Sequence, residues 1–490
     1  MSTTTSTRAD ASAGAHGAGL SASRRAAGPD RATVSDLIDR LATSDATQPE
    51  WLAAARGRAA GWAKQKGWPT RKDEDWRYAP LAALTAAAFR RPGNSASGLP
   101  SAPASAAASQ QGSRAALDAA LSGSSIARMT FLNGRFAPER STTANLPAGV
   151  TVTSLASEIG GGALGLDEFF SPASGEFAHA FEALNAAAAS DGAVVRVGED
   201  VHIDGLIELL FFSDGRGDSH VSQPRSVIVA GPRSSVSIVE TYTGPAGSES
   251  WTNAVTQVTV GADAQAPHYK IKDEADSAFN LGLLDVRAHG GSRFSSLSVA
   301  LGSRVARNEV RVRLEGDRAD VSPNGLYLPG GDRFHDNPVL VVHSARDCTS
   351  RQLFKGIASG HGHGVFNGHL VVLPGADGTD ATQTNKNLLL SDHAEIDTRP
   401  RLQILTDDVK CSHGAAVGAL DPDAIFYLRS RGLPLQQAKS ILTAGFAAEI
   451  LETVGDGDLR ARLEALVASK LNEGLEERLN EGLNEGLEEG

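Results

Sequence analysis

Three turns of similar make begin 30 residues apart, and that spacing constrains the fold more than any other feature of the chain. Gly231-Pro-Arg-Ser-Ser-Val236, Gly261-Ala-Asp-Ala-Gln-Ala266 and Gly291-Ser-Arg-Phe294 each place a glycine and small polar residues before a return to apolar sequence. Looser copies follow at Gly316-Asp-Arg-Ala-Asp-Val321 and Gly375-Ala-Asp-Gly-Thr-Asp380. Between them lie short apolar or alternating runs such as Val236 to Thr241, Val255 to Val260, Val310 to Leu314 and Leu370 to Leu373, which read as strands. A period of that size is the mark of stacked units, and one coil of a β-helix takes about that much chain. A β-sandwich is the other architecture this pattern allows. The supply of 52 glycines with only 5% aromatics suits many tight turns and argues against a helical bundle. No long amphipathic helix interrupts the strands after about Ala189, which argues against a doubly wound sheet.

The flanks read differently. From Thr33 to about Leu84 the spacing is helical, with Val34, Leu37, Ile38 and Leu41 on one face and a second helix over about Trp51 to Lys66. The block Asp73 to Arg77 reads as a capped, packed turn. After Gly414 the chain turns helical again. Asp421 is a good N-cap, Pro422 a good first residue and Gly432 a good stop. A following helix, Pro434 to about Val454, carries Leu435, Ala438, Ile441, Leu442 and Ile450 as its apolar face. These helices are expected to cover the open end of the strand stack. The expected organisation is therefore a tail over 1–30, a helical region over 31–91, a linker over 92–125, the β core over 126–414, a C-terminal helical region over 415–457, and an acidic Leu/Glu/Gly tail over 458–490. In that tail leucines recur about every fourth residue, a period that drifts around a helix. Residues 1–30 are rich in Ser, Thr, Ala and Arg, which fits a disordered tail or an organelle transit peptide.

Several function classes are excluded or disfavoured. A net charge of −12 removes the global basic field that nucleic-acid binding needs. No stretch of about 18 apolar residues is present to span a membrane as a helix. There is no phosphate-binding Gly-x-x-x-x-Gly-Lys loop, no Gly-x-Ser-x-Gly, no His-Glu-x-x-His and no Cys-x-x-Cys. Asp332, His335 and Asp336 lie close together but read as turn residues. His361 and His363, with His369 nearby, read as a solvated glycine-rich loop. Two cysteines, Cys348 and Cys411, are too few for a four-thiolate cluster held by this chain alone.

One stretch concentrates chemistry: Asp407-Asp408-Val409-Lys410-Cys411-Ser412-His413-Gly414, after the apolar run Leu402 to Leu405. Cys411 and His413 are two apart and share a face if the segment is a strand. A thiol and an imidazole suit iron, zinc or copper, yet two donors do not complete a site. Either another chain supplies the rest or this is an ordinary strand end.

That stretch, with Asp421-Pro422 and Phe426-Tyr427-Leu428-Arg429-Ser430-Arg431-Gly432, resembles the SufB/SufD family of iron–sulfur cluster assembly proteins, and its SufD side most. The block Pro69 to Tyr78, Asn133-Gly134-Arg135-Phe136, Ser350 to Gly356 and Asn387 to Ser391 match in the family's order, over roughly residues 50 to 455. The resemblance implies a right-handed parallel β-helix core flanked by N- and C-terminal helical regions. It implies a non-enzymatic scaffold subunit of a SufBCD-type complex, a heterodimer with a SufB-like subunit, docking of a SufC-like ATPase on residues 415 to 455, and a homodimer as the option in isolation. It makes His413 the cluster-assembly residue and transient iron ligand, facing a SufB thiol, with Cys411 a less certain neighbour. Arg346-Asp347 before Cys348 departs from the family's Pro-His, which gives Cys348 no expected role. No cofactor is expected to stay bound. A transient iron–sulfur cluster would be shared with the partner, and reduced flavin would act at the level of the complex. A cytoplasmic location is expected, or a plastid one if residues 1–30 are a transit peptide. The alternatives are a SufB-like role with Cys411 as the essential thiol, and a β-helix carbohydrate-active enzyme, for which no paired acids can be placed.

Overall fold

The computed structural model describes residues 33–41, 48–86, 89–92, 115–120, 125–144, 146–162, 165–172, 176–216 and 219–488, with the side chains of 86 and 474–488 outside that description. The expected tail over 1–30 therefore lies outside the described residues. The chain winds into a parallel β-solenoid of about seven turns, built from two ten-stranded sheets on opposite sides of a shared lumen. Alternation within each strand sets the two faces. In Val305–Leu314, Ala306, Val310, Val312 and Leu314 enter the lumen, while Arg307, Glu309, Arg311 and Arg313 point out. The register column Ser235, Gln265, Arg293, Asp320, Thr349, Asp380 and Lys410 advances 27 to 31 residues per coil, which accounts for the drift in the sequence repeat.

A second column holds the turns together. Arg233, Asp263, Gly291, Arg318, Asp347 and Gly378 all have positive φ, between 55° and 75°. Each N–H donates to the carbonyl just ahead of its counterpart one coil on, from Arg233 N to Ala262 O at 2.8 Å through Gly378 N to Asp408 O at 2.8 Å. The two glycines in this column follow aspartates. A Cβ at Gly291 would stand 2.1 Å from Asp263 Oδ1, and one at Gly378 2.2 Å from Asp347 Oδ1, so a side chain at either position would force the carboxylate to move.

Helices cover both outer faces, the usual cover for parallel sheets. The N-terminal helices Val34–Leu41 and Glu50–Lys66, the turn Glu74–Trp76 and the helix Ala180–Ala188 bury Val34, Leu37, Ile38, Ala63, Trp76 and Phe181 against Trp251, Phe279, Val305 and Phe334. Ala180–Ala188 and Leu155–Gly160 lie within the span 126–414 expected as β core, ahead of Ala189, the point after which no long helix is expected. The expected linker over 92–125 also contains a helix over 115–120, with Leu117 fully buried.

The C-terminal helices depart from expectation. They lie along the flank of the solenoid instead of over its end. Leu435–Leu451 buries Ala438, Ala447, Ile450 and Leu451, and leaves Leu435 and Ile441 exposed, because a sheet face and not an end coil sets which side is covered. The span expected to be a tail from 458 forms the helix Gly457–Glu488, and its Leu459, Leu463, Val467 and Leu471 are buried against Val239, Ile271, Leu297 and Leu301. Ion pairs run the length of this brace. Glu449 meets Lys355 and, at 3.0 Å, Lys386 near the far end, Lys470 lies 3.6 Å from Asp273, and Arg462 reaches Glu208 on the first full coil at 3.1 Å.

The two ends of the solenoid differ. At the N-terminal end, Arg135–Phe136 and Val150–Ser154 pair antiparallel with the first strands and close the edge. At the C-terminal end, Glu395–Ile404 pairs only with His363–Val372, and Val409–Gly418 only with Thr379–Leu389. The free edge of the last coil pairs with no strand among the described residues. Its strand runs four residues past the turn expected at Gly414.

Candidate functional site at the open coil

Cys411 and His413 both lie on Val409–Gly418, with one edge of that strand unpaired. Cys411 is half-buried and packs on the lumen core above Ala381, its register partner. His413 shares that parity, so its ring stands at the mouth of the lumen and is exposed. Beneath it in register is the buried Gln383, whose Nε2 donates to Gln352 Oε1 at 3.0 Å. Gln383 Oε1 has no hydrogen-bond partner among the described residues. Further along the mouth, Asn385 Nδ2 donates to Tyr327 Oη at 3.2 Å and to Phe354 O at 3.1 Å, and Tyr327 Oη donates to Asn387 Oδ1 at 2.6 Å. The mouth is thus a polar floor with an imidazole at its rim.

The two thiols are poorly suited to act alone. Burial, and then the nearby Asp380 carboxylate, push the Cys411 thiol up, and only the Ala381 backbone opposes them. A thiol held in that way is mostly protonated at neutral pH, whereas nucleophiles and ligands need the thiolate. Cys348 is buried and donates to Gly316 O at 3.3 Å, and burial raises it too. It is a packing residue.

The other sequence candidates separate. His335 points into the lumen with Nε2 3.0 Å from Gly302 O, Asp336 points outward to an ion pair with Arg307, and Asp332 is exposed. They form no common site. The expected loop at His361 to His369 is not a loop beyond residue 362. His363 opens the strand His363–Val372, and its Nε2 lies 2.8 Å from Asp397 Oδ2. The block Asp73 to Arg77 packs as expected: Trp76 is buried under the Arg307 guanidinium at 3.7 Å. Asp75 additionally accepts from Asn367 at 2.8 Å and Arg401 at 3.1 Å, which ties the N-terminal region to the last two coils.

Just beyond the open coil, the helix Pro422–Ser430 buries none of its side chains. Asp421 caps it by accepting from the Asp423 N–H at 2.9 Å. Phe426 and Tyr427 are 73% and 58% exposed, and Val417, Leu435 and Ile441 stand exposed as well. Large apolar side chains left in water this way mark an interaction surface. No described helix is long and apolar enough to cross a membrane.

Comparison with known proteins gives this arrangement its family. Residues 211–446 match the SUF system FeS cluster assembly, SufBD core domain, and residues 37–209 match the SufBD protein N-terminal region. An iron–sulfur cluster assembly SufBD family protein of Synechocystis is 28% identical over 82% of this chain and 87% of its own length. The iron–sulfur cluster assembly protein SufD of Escherichia coli is 35% identical over 48% of this chain and 56% of its own. The chloroplastic protein ABCI7 of Arabidopsis thaliana is 30% identical over 57% of this chain and 60% of its own. The matches to these last two span little more than half of those proteins. With both parts of the family covered in order along a parallel β-solenoid, the chain belongs to the SufB/SufD family of SUF-system iron–sulfur cluster assembly proteins and is SufD-like.

Proposed function

We propose that this chain is the SufD-type scaffold subunit of a SUF complex and performs no turnover of its own. Its open last coil pairs with the equivalent coil of a SufB-like subunit. The unpaired edges of Glu395–Ile404 and Val409–Gly418 supply backbone donors and acceptors for that partner. His413 then lies at the junction, above the polar floor of Gln383 and Gln352. There it accepts iron of the nascent cluster or moves a proton, with the thiolate coming from the SufB-like chain. The exposed helix Pro422–Ser430 docks a SufC-like ATPase through Phe426 and Tyr427. ATP hydrolysis occurs in that partner and opens or closes the shared site. Reduced flavin, where it takes part, does so at the level of the complex.

The observation that carries this reading is the asymmetry of the solenoid: one end closed by antiparallel strands, the other left open with His413 on its rim. The raised Cys411 thiol weighs against the SufB-like alternative, in which that thiol would be the working group. The test is co-expression of this chain with its SufB- and SufC-like partners. His413→Ala should leave the complex assembled and cluster-poor, and Cys411→Ser should change cluster yield little. Full cluster yield from the histidine variant would reject the site. Loss of cluster from the cysteine variant alone would move the role to Cys411.

A further inference from the structure

A second group of metal-ligand side chains stands outside the lumen, on the outer face of the last two coils. His363 and Glu395 open adjacent strands and are register partners, and Asp397 follows two residues later on the same face. One donor atom from each, an imidazole nitrogen and two carboxylate oxygens, falls within 4.8 Å of the others. His363 Nε2 and Asp397 Oδ2 already share a hydrogen bond of 2.8 Å, and both side chains are about one-quarter exposed.

The histidine is held for this geometry. Its ring meets Phe334 edge-on at 5.2 Å and Tyr78 edge-on at 6.0 Å, so two aromatics from different parts of the chain fix its plane. The carboxylates are left uncompensated. Arg399 and Arg401, next along the same face, are engaged by Glu74 and Asp75, and neither Glu395 nor Asp397 has an Arg or Lys partner among the described residues. In the turns just ahead of the same strands, His361 and His393 stack at 5.0 Å. Among the described residues no Arg or Lys balances these two acids, and one borderline nitrogen and two hard oxygens lie within reach of one another.

We propose that His363, Glu395 and Asp397 form a surface site for a divalent first-row cation of the iron(II), manganese(II) or zinc class. One nitrogen and two oxygens suit those ions and not a soft monovalent one. The ion takes the place of the His363–Asp397 hydrogen bond, and water fills the remaining positions. Because His363 comes from one coil and Glu395 and Asp397 from the next, the bound ion also clamps the open coil to the one beneath it. The site is separate from His413, which faces the lumen, and does not depend on the role proposed for that residue.

The test is calorimetric titration of the full-length chain with zinc chloride and, without oxygen, with iron(II), in a His413→Ala background that removes the imidazole at the mouth. One cation per chain is expected. Adding His363→Ala or the shape-preserving Asp397→Asn should weaken it at least about tenfold, and a cation-induced rise in melting temperature should vanish with it. Absence of binding in the His413→Ala parent at submillimolar cation would overturn the site, and so would equal affinity in both added variants. Neither result bears on cluster yield from the co-expressed complex, so the two proposals fail independently.

Discussion

Acid should weaken the solenoid through one lumen histidine, and the size of the effect follows from its setting. His343 is fully buried inside the coil stack, with Nε2 2.9 Å from Ser350 Oγ and Nδ1 3.5 Å from Thr379 Oγ1. Among the described residues no carboxylate pairs with the ring, and burial pushes the imidazole from 6.5 down to about 4. The folded protein therefore keeps this ring neutral between pH 6.5 and 4, while the unfolded chain takes up a proton. Stability is present in full above pH 6.5 and is lost as pH falls toward 4. At pH 5 the linkage amounts to about 2 kcal/mol, and near pH 4 to about 3 kcal/mol. The perturbation is His343→Gln, which keeps a polar side chain and removes the titration. Urea unfolding of wild type and variant at pH 7 and pH 5 gives two stability differences, from which all other titrating groups cancel. The variant should be the less acid-sensitive by about 2 kcal/mol. Parallel losses in the two proteins would refute the claim that this ring is held neutral by burial.

Three further outcomes are expected. Leu463→Ala, in the helix along the flank, removes a fully buried side chain and should cost about 3–5 kcal/mol in urea unfolding, against near zero for an exposed tail. Gly291→Ala places a Cβ against Asp263 Oδ1 at positive φ, and should lower stability by about 1–3 kcal/mol; the double variant Asp263→Ala/Gly291→Ala should recover the part due to the clash. Phe426→Ala, on a side chain 73% exposed, should leave the isolated chain within about 0.5 kcal/mol of wild type and yet reduce co-purification with a SufC-like ATPase.

The strand stack was legible because its turns repeat at nearly constant spacing and its strands alternate. What kept the repeat loose was chemical. The left-handed turn position is filled by Arg233, Asp263, Arg318 and Asp347 as well as by glycine, and arginine there gives no turn signal. The flank helix reads as a tail in sequence because leucines four apart drift on a helix. The drift is roughly 40° per step, so the four buried residues from Leu459 to Leu471 span about 120°, which one sheet face can still cover. Cys411 and His413 were legible as a pair on one strand, but the exposure of the coil that carries them was not. Nothing local says whether a following helix folds over an end or along a side. The His363 cluster escaped for a related reason. Its partners sit 32 and 34 residues later, beside it only once the coil length is applied, whereas the local sequence offers His361 and His369 as decoys.

The helical brace changes the mechanics of the whole rod. A stack in which each coil touches only its neighbours can fray from an end one layer at a time. Here the chain doubles back, and the Leu435–Leu451 and Gly457–Glu488 helices fasten Lys386 near one extremity and Glu208 near the other to a single splint. Peeling the coil that carries Lys386 then works against the same pair of helices that holds the first full coil. A push delivered at the short helix preceding the splint would be felt by the rod as a unit, as a lever moves, and would not be absorbed by local bending.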